Sequence, residues 1–294
     1  TYDPEKWKKA MEAAAEAISV AEKFNSELGR QNFMLYTSAD SSLPNDERGR
    51  RNYRDAFTKE HWNGLEFIEA KGDRGGCQTL QQLMGPRPIA NNMSLGWKTT
   101  SVPTMEAVEM YYTKNGLPWE DDPETKDIDP YAYNAEAGTV NLHLYKEPRF
   151  YASVGYDRGT YEIDGKEITL YLRGGELHGS TLKETDEYQS CTGYLCQKWI
   201  PKASTYSIPS NSFSFYYYAY PYLRLPELYL SYAEADFEYN GSLSTQSLEY
   251  INLVRKRCGL PTFQASWALA GGIPTGQKPV SYTHLRAHET RGNL

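Results

Sequence analysis

The aromatic residues are the first candidates for chemistry in this sequence. There are 25 Tyr, 9 Phe and 6 Trp, and a phenol buried without a partner for its hydroxyl is costly. Part of the surplus must therefore sit on surfaces, and carbohydrate-binding surfaces are one common use of exposed aromatics. The carboxylates come next. Glu234 and Glu238 lie four apart, on one face if that segment is helical, where a solvated or ion-paired face is expected rather than an acid/base dyad. Asp121, Asp122, Glu124, Asp127 and Asp129 cluster in a Pro-bounded loop. They supply hard oxygen donors of the kind Ca2+ takes, but not at EF-hand spacing, so a solvated acidic loop without a cofactor is expected. Cys77, Cys191, Cys196 and Cys258 contain no C-x-x-C. Cys191 and Cys196 could close a small disulfide loop or both be free. The sequence holds no phosphate-binding glycine loop, zinc pattern or nucleophile elbow.

Few elements are periodic enough to position these residues. Asp3 is a fitting N-cap, Pro4 suits the first helical position, and Trp7, Met11, Ala14, Ile18 and Ala21 form one apolar stripe that fades by Leu28-Gly29. From Tyr222 a second stripe runs through Leu225, Leu228, Tyr229, Tyr232, Ala233 and Phe237 to Asn240-Gly241. A third helix follows Ser242 or Ser244 with Leu248, Ile251, Val254 and Cys258, closed by Gly259 and Pro261. These last two form an antiparallel helical hairpin that needs a neighbour, and the helix from Asp3 is one candidate. Between residues 30 and 220 the chain reads as irregular, with turn formers at Pro44 to Gly49, Gly72 to Gly76, Gly85-Pro86, Asn115-Gly116, Asp121 to Pro130 and Gly174-Gly175. Thr160 to Leu172 reads as a hairpin turning at Asp164-Gly165, and Thr104 to Tyr112 as a helix with Met105, Val108 and Tyr112 inward. Tyr216 to Tyr218 reads as strand-like packing. Trp7 and Trp199 suit the core.

Three segments together resemble the SusD/RagB family of surface nutrient-binding lipoproteins. They are Lys146-Glu147-Pro148-Arg149-Phe150-Tyr151-Ala152, the stretch Pro221 to Glu238 with its core from Arg224 to Ala235, and Ile251 to Leu260 around Asn252, Arg255 and Arg257. Cys258 stands where that family usually has a small residue. Supporting matches are Pro103 to Gly116, Thr192-Gly193-Tyr194 leading to Lys198-Trp199, and the opening helix, all in family order. The resemblance implies a mainly α fold of tetratricopeptide-like helix pairs, with long irregular loops and a small β-hairpin. It implies a glycan-binding protein, not an enzyme, without cofactor. Such a protein sits on the outward face of the outer membrane through a lipid anchor and works with a SusC-like TonB-dependent transporter. A peptide-binding member of the family and a tetratricopeptide scaffold for protein partners are the alternatives. A glycoside hydrolase would need two carboxylates facing each other at roughly 5 to 10 Å.

On that reading Glu147, Pro148, Arg149, Arg224, Glu227, Glu234, Asn252, Arg255 and Arg257 are structural, tying loops to helices. Ligand contacts are expected from aromatics in the irregular stretches, because a sugar offers an apolar C–H face ringed by hydroxyls. Trp97, near Asn91, Asn92 and Gly96, is the first choice; Trp119, Tyr131 and Tyr133 follow. For each, a ring that merely covers a loop is the competing reading.

The balance of 31 basic against 38 acidic residues argues against a nucleic-acid partner, which needs a basic stripe. No apolar run approaches bilayer length. The regular helix at the very start suggests that an N-terminal part, with signal and anchor, is missing from residues 1–279. Residues 280–294 look like a translated sequencing adapter, so the pair His284 and His288 is not read as a metal site.

Overall fold

The computed structural model describes residues 2–28, 34–37, 40–58, 66–86, 99–179, 190–207 and 212–273. The elements in chain order begin with α1 (Pro4–Leu28), α2 (Asn45–Thr58), β1 (Phe67–Lys71), α3 (Arg74–Met84) and α4 (Met105–Glu109). The short pieces β2 (Tyr133–Asn134), β3 (Thr139–Val140), α5 (Pro148–Ser153), β4 (Val154–Gly155), β5 (Thr160–Ile163) and β6 (Lys166–Thr169) follow. The chain then runs through β7 (Leu195–Cys196), β8 (Thr205–Ser207), β9 (Ser212–Ser214) and β10 (Tyr220–Arg224) into α6 (Leu225–Asn240), α7 (Thr245–Arg257) and α8 (Phe263–Leu269).

The helical layer forms because no single stripe can be buried alone. Asp3 accepts the Glu5 N–H at 3.1 Å to start α1, which buries Ala14, Ile18 and Ala21. The helix lies against α6 and runs antiparallel to it. At one end the Tyr2 hydroxyl donates to the Glu238 carbonyl, and at the other Ile18 joins Leu225, Tyr229 and Ala233 in one core cluster. The same cluster takes Ile251 and Val254 from α7 and Phe263 and Trp267 from α8, each large side chain contributing about 1.5–3 kcal/mol on burial. The hairpin between α6 and α7 is clamped by Asp236, which accepts the Ser244 N–H at 2.8 Å and the Ser247 and Asn240 side chains.

The second layer departs from the sequence reading in three places. Pro44 to Gly49 is not a turn: Asn45 opens α2, a helix whose buried face carries Asn52 and Arg54 beside Tyr53, Ala56 and Phe57. Gly72 to Gly76 likewise leads straight into α3, capped by Asp73, whose carboxylate accepts the Gly76 N–H. A hydrophobic count misses α2 because its polar buried side chains are satisfied by partners distant in sequence. Arg54 donates to the carbonyls of Glu162 (2.9 Å) and Ile200 (2.6 Å), and Asn52 to that of Arg257 (3.2 Å). The α4 segment is shorter than expected, and Met105 faces solvent because only Val108 is buried within it. The hairpin of β5 and β6 turns at Asp164 (φ 58°) and Gly165 (φ 71°), the left-handed pair that the sequence signal requires. Among the described residues every sheet is two-stranded.

Much of the aromatic surplus is core. Tyr53, Phe57, Tyr161, Trp199 and Tyr218 share one buried cluster, and the buried phenols of Tyr161 and Tyr218 donate to the carbonyls of Cys196 and Trp199 at 2.8 Å. The four cysteines are free thiols; Cys191 is exposed, whereas Cys196 is buried and its thiol pushed up to about 11.

The two layers meet where α2 crosses the end of α7 at a pair of glycines. A Cβ on Gly49 would stand 2.3 Å from the Cys258 carbonyl oxygen, and one on Gly259 (φ 77°) 2.6 Å from that of Asn45. Below the crossing, Glu66 is buried between Arg224 (2.6 Å) and Arg257 and also accepts the Tyr36 N–H at 2.7 Å.

Two predictions follow from this packing. Helix propensity alone would make Gly49→Ala stabilising by about 1 kcal/mol. The backbone contact instead predicts a loss of at least about 2 kcal/mol, read as a Tm lowered by roughly 4–8 °C, and an unchanged Tm would contradict the crossing. The second concerns pH. Burial holds the imidazoles of His143 and His178 down at about 4, so they are neutral in the fold while the unfolded chain protonates near pH 6.5. Their stabilisation is whole above that pH and is lost as pH falls towards 4, on the order of 3 kcal/mol for each ring. Denaturation midpoints measured from pH 7 to 4.5 should fall more steeply for the wild type than for a His143→Gln, His178→Gln variant.

Candidate functional site

A cleft of about 690 Å³ opens where α2, the start of α5 and the β5–β6 hairpin converge. One wall is the exposed side of α2, which presents Asp46, Glu47, Arg50 and Arg51. The opposite wall carries Lys114 and Lys146, with Tyr151, Tyr156 and Glu167 completing the lining. The local fold explains the second wall. Residues 112–114 run antiparallel to 145–147, with Glu147 N–H bonded to the Tyr112 carbonyl (3.0 Å) and Lys114 N–H to that of Tyr145 (2.9 Å). Pro148 then starts α5 at a position where its missing N–H costs nothing, and this turns Tyr151 towards the opening.

Beneath the cleft lies a fully buried ion pair. Arg149 Nε meets Glu147 Oε2 at 2.6 Å, and the other carboxylate oxygen accepts the Tyr112 N–H at 3.0 Å. Tyr151 donates to the His143 carbonyl at 2.8 Å. The Tyr156 ring packs against His143 at 4.6 Å and Phe150 at 5.4 Å. His143 is itself held at both nitrogens, by the Thr139 hydroxyl (2.7 Å) and the Tyr194 hydroxyl (2.8 Å). Burial raises the pKa of both cleft tyrosines, so each remains a neutral phenol. Among the described residues the Tyr156 hydroxyl has no hydrogen-bond partner, and it stands at the cleft surface.

Most charged groups of the cleft are already matched, although among the described residues Asp46 is in no ion pair and Lys146 is met by carbonyls alone. Glu47 accepts from Arg50 (2.9 Å) and Arg51 (2.7 Å), and Arg50 also reaches Glu167 at 3.1 Å. Burial would raise the Glu47 carboxyl, but the two guanidiniums prevail and hold it below the usual range, so it is an acceptor rather than a proton donor. Lys114 pairs with Glu124 at 2.7 Å. Lys146 donates to the carbonyls of Glu109 (3.1 Å) and Tyr111 (2.6 Å), and burial pushes its amine down to about 8. Charges of both signs therefore line the rim, with little net charge. That arrangement suits a ligand rich in hydroxyls, flanked by rings that can meet an apolar face.

The structure separates the residues expected at the site. Trp97, Asn91 and Asn92 lie outside the described residues. Trp119 is half-buried, donates to the Ile128 carbonyl at 3.1 Å and stands edge-on to Tyr145, with the Lys146 ammonium 5.9 Å from its ring. It thus supports the cleft wall from behind. Tyr131 and Tyr133 are exposed but do not line the cleft, and the Tyr131 hydroxyl is bonded to Glu109. In the acidic loop Asp122 is buried and accepts from Thr113 and Asn115, while Glu124 turns to Lys114; among the described residues no group of carboxylates, His or Cys is arranged to hold a metal.

The residues expected to be structural are placed as follows. Arg224 and Arg257 hold Glu66. Arg255 donates to the carbonyls of Pro261 (2.8 Å) and Gly116 (3.1 Å), joining α7 to the loop layer. Asn252 accepts the Phe263 N–H at 2.7 Å and thereby seats α8. Glu234 and Glu238 are half-buried on α6. Glu227 occupies the first turn of that helix, where its charge complements the dipole. Glu47, Arg50, Arg51, Lys114 and Tyr156 of the cleft carry no local sequence signal, and Tyr151 lies inside a motif that reads as structural.

Comparison with known proteins agrees with this architecture. A family model described as the SusD family matches residues 66–280. The solved structure of BT4246 superposes with a TM-score of 0.71 at 22% identity, covering 98% of this chain and 50% of that one. A SusD-like protein, BF3747, from Bacteroides fragilis NCTC 9343 gives a TM-score of 0.57 at 17% identity, covering 96% and 49%. A SusD-like carbohydrate binding protein, BF0978, from the same organism gives 0.54 at 18% identity, covering 98% and 47%. The chain spans about half the length of these structures, and no curated protein matches it. No described helix is long and apolar enough to cross a membrane. With the family model matching most of its length, on a mainly α fold of paired helices, the chain belongs to the SusD family.

Proposed function

We propose that this chain is the ligand-capturing part of a glycan-binding protein at the outer-membrane surface, and that the cleft beside α5 holds the saccharide. In this reading the longer protein is lipid-anchored and passes its cargo to a SusC-like TonB-dependent transporter. It binds and does not hydrolyse. Support comes from membership of the SusD family and from the description of the similar protein BF0978 as carbohydrate binding. The observation that carries the assignment is the matched rim around Tyr151 and Tyr156. Arg50 and Arg51 there already face Glu47, and the Lys146 ammonium is buried and bonded to two carbonyls, so an anionic ligand finds no free guanidinium, whereas neutral hydroxyls find donors and acceptors side by side. The ligand class is therefore a neutral oligosaccharide.

Calorimetry with neutral oligosaccharides, uronic-acid oligosaccharides and peptides tests this reading. Saturable heat is expected from the neutral sugars, and Tyr156→Ala should weaken it at least about tenfold, or about 1.4 kcal/mol. Saturable heat with peptides alone would overturn it, as would release of free sugar from a polysaccharide.

A further inference from the structure

Away from the cleft, two tyrosines stand out into solvent from a braced frame. Tyr133 is 59% exposed and Tyr171 42% exposed, although a large aromatic surface in water is unfavourable. Each ring is backed by a guanidinium, Arg173 at 5.6 Å from the Tyr133 centroid and Arg158 at 4.8 Å from that of Tyr171. The two guanidiniums are tied to carboxylates. Arg173 Nε meets Asp157 at 2.8 Å, and Arg158 grips Glu176 with both terminal nitrogens at 2.9 and 2.6 Å. Both carboxylates are anchored in turn, Asp157 accepting the Leu172 N–H at 3.0 Å and Glu176 the Arg173 N–H at 3.1 Å. Arg158 holds a left-handed backbone (φ 68°), a conformation that costs a non-glycine residue about 1 kcal/mol or more. None of these six residues lines the cleft.

We propose that this ledge is a second glycan-binding surface, one that takes the run of a long neutral polysaccharide rather than a short oligosaccharide. The proposal rests on the glycan reading given above. The rings are held in place before any ligand arrives, so little side-chain entropy remains to be lost on binding. Two positive and two negative groups balance between them, and beside them each ring keeps an exposed part, although Tyr171 also lies parallel to the His178 ring at 6.4 Å. An open ledge encloses no ligand, so a single sugar would gain little there. A chain long enough to reach both ledge and cleft gains from both sites at once through effective concentration.

The experiment compares wild type, Tyr133→Ala/Tyr171→Ala and Tyr156→Ala. Each is assayed by electrophoretic retardation in gels containing a neutral polysaccharide and by calorimetry with a short oligosaccharide cut from it. The ledge variant should keep oligosaccharide affinity within about twofold and lose retardation by the polymer at least about fivefold, while Tyr156→Ala should lose the oligosaccharide. Retardation equal to wild type in the ledge variant overturns the proposal and leaves the cleft reading standing. Failure of wild-type protein to bind any saccharide, short or long, overturns both. Should the double variant melt early, Tyr133→Ala alone decides, because that ring is the more exposed; it should lose a measurable part of the retardation at wild-type Tm.

Discussion

Burial of charge between the two layers governs the rest of this molecule. Glu66 has no route to water, and each ion moved into such a site costs several kcal/mol unless its partners are in place. Its oxygens are taken by Arg224 at the end of β10 and Arg257 at the end of α7, while Phe57 and Tyr53 of α2 pack their rings on those guanidiniums at 3.8 and 5.5 Å. Strand end, helix end and α2 must therefore arrive together. The Glu162–Arg54 pair does the same between α2 and the hairpin, and Glu147–Arg149 between α5 and the loop beside it. Four of the nine family motif residues, Glu147, Arg149, Arg224 and Arg257, are members of these buried ion pairs.

That constraint is what makes a cleft. Because α2 is fixed by its buried face, its opposite side is free to carry Glu47, Arg50 and Arg51 into the opening at a set distance from α5. Glu162 shows how closely structure and site are coupled. Burial works to raise its carboxyl, but Arg54 and Arg50 hold it below the usual range, and Arg50 is also a rim residue. In both the cleft and the tyrosine ledge, guanidiniums are paired with carboxylates beside partly exposed tyrosine rings. The two differ in shape, one concave and one open.

Legibility in the sequence followed the physical origin of each element. α1, α6 and α7 were readable because an apolar stripe of period 3.6 packs against another stripe, and stripes are written locally. The β5–β6 hairpin was readable because Asp164-Gly165 demands a left-handed turn whatever surrounds it. α2 was hidden, since Asn52 and Arg54 on its buried face are satisfied by carbonyls more than a hundred residues away. The cleft disappeared from view with it, and Tyr151 was masked by the structural look of its motif. Trp119 carried the right residue type, but its indole N–H is used within its own loop.

By itself, the sequence determined the family, the paired helices of its two ends, and the surplus of rings that some surface or core had to absorb. Those features follow from patterns and turn chemistry within a few residues of one another. Only the tertiary structure decided which rings were core, which side of α2 faced the opening, and which charges were neutralised. Each of those depends on partners supplied from far along the chain, and a buried charge leaves no local trace of the partner that makes it affordable.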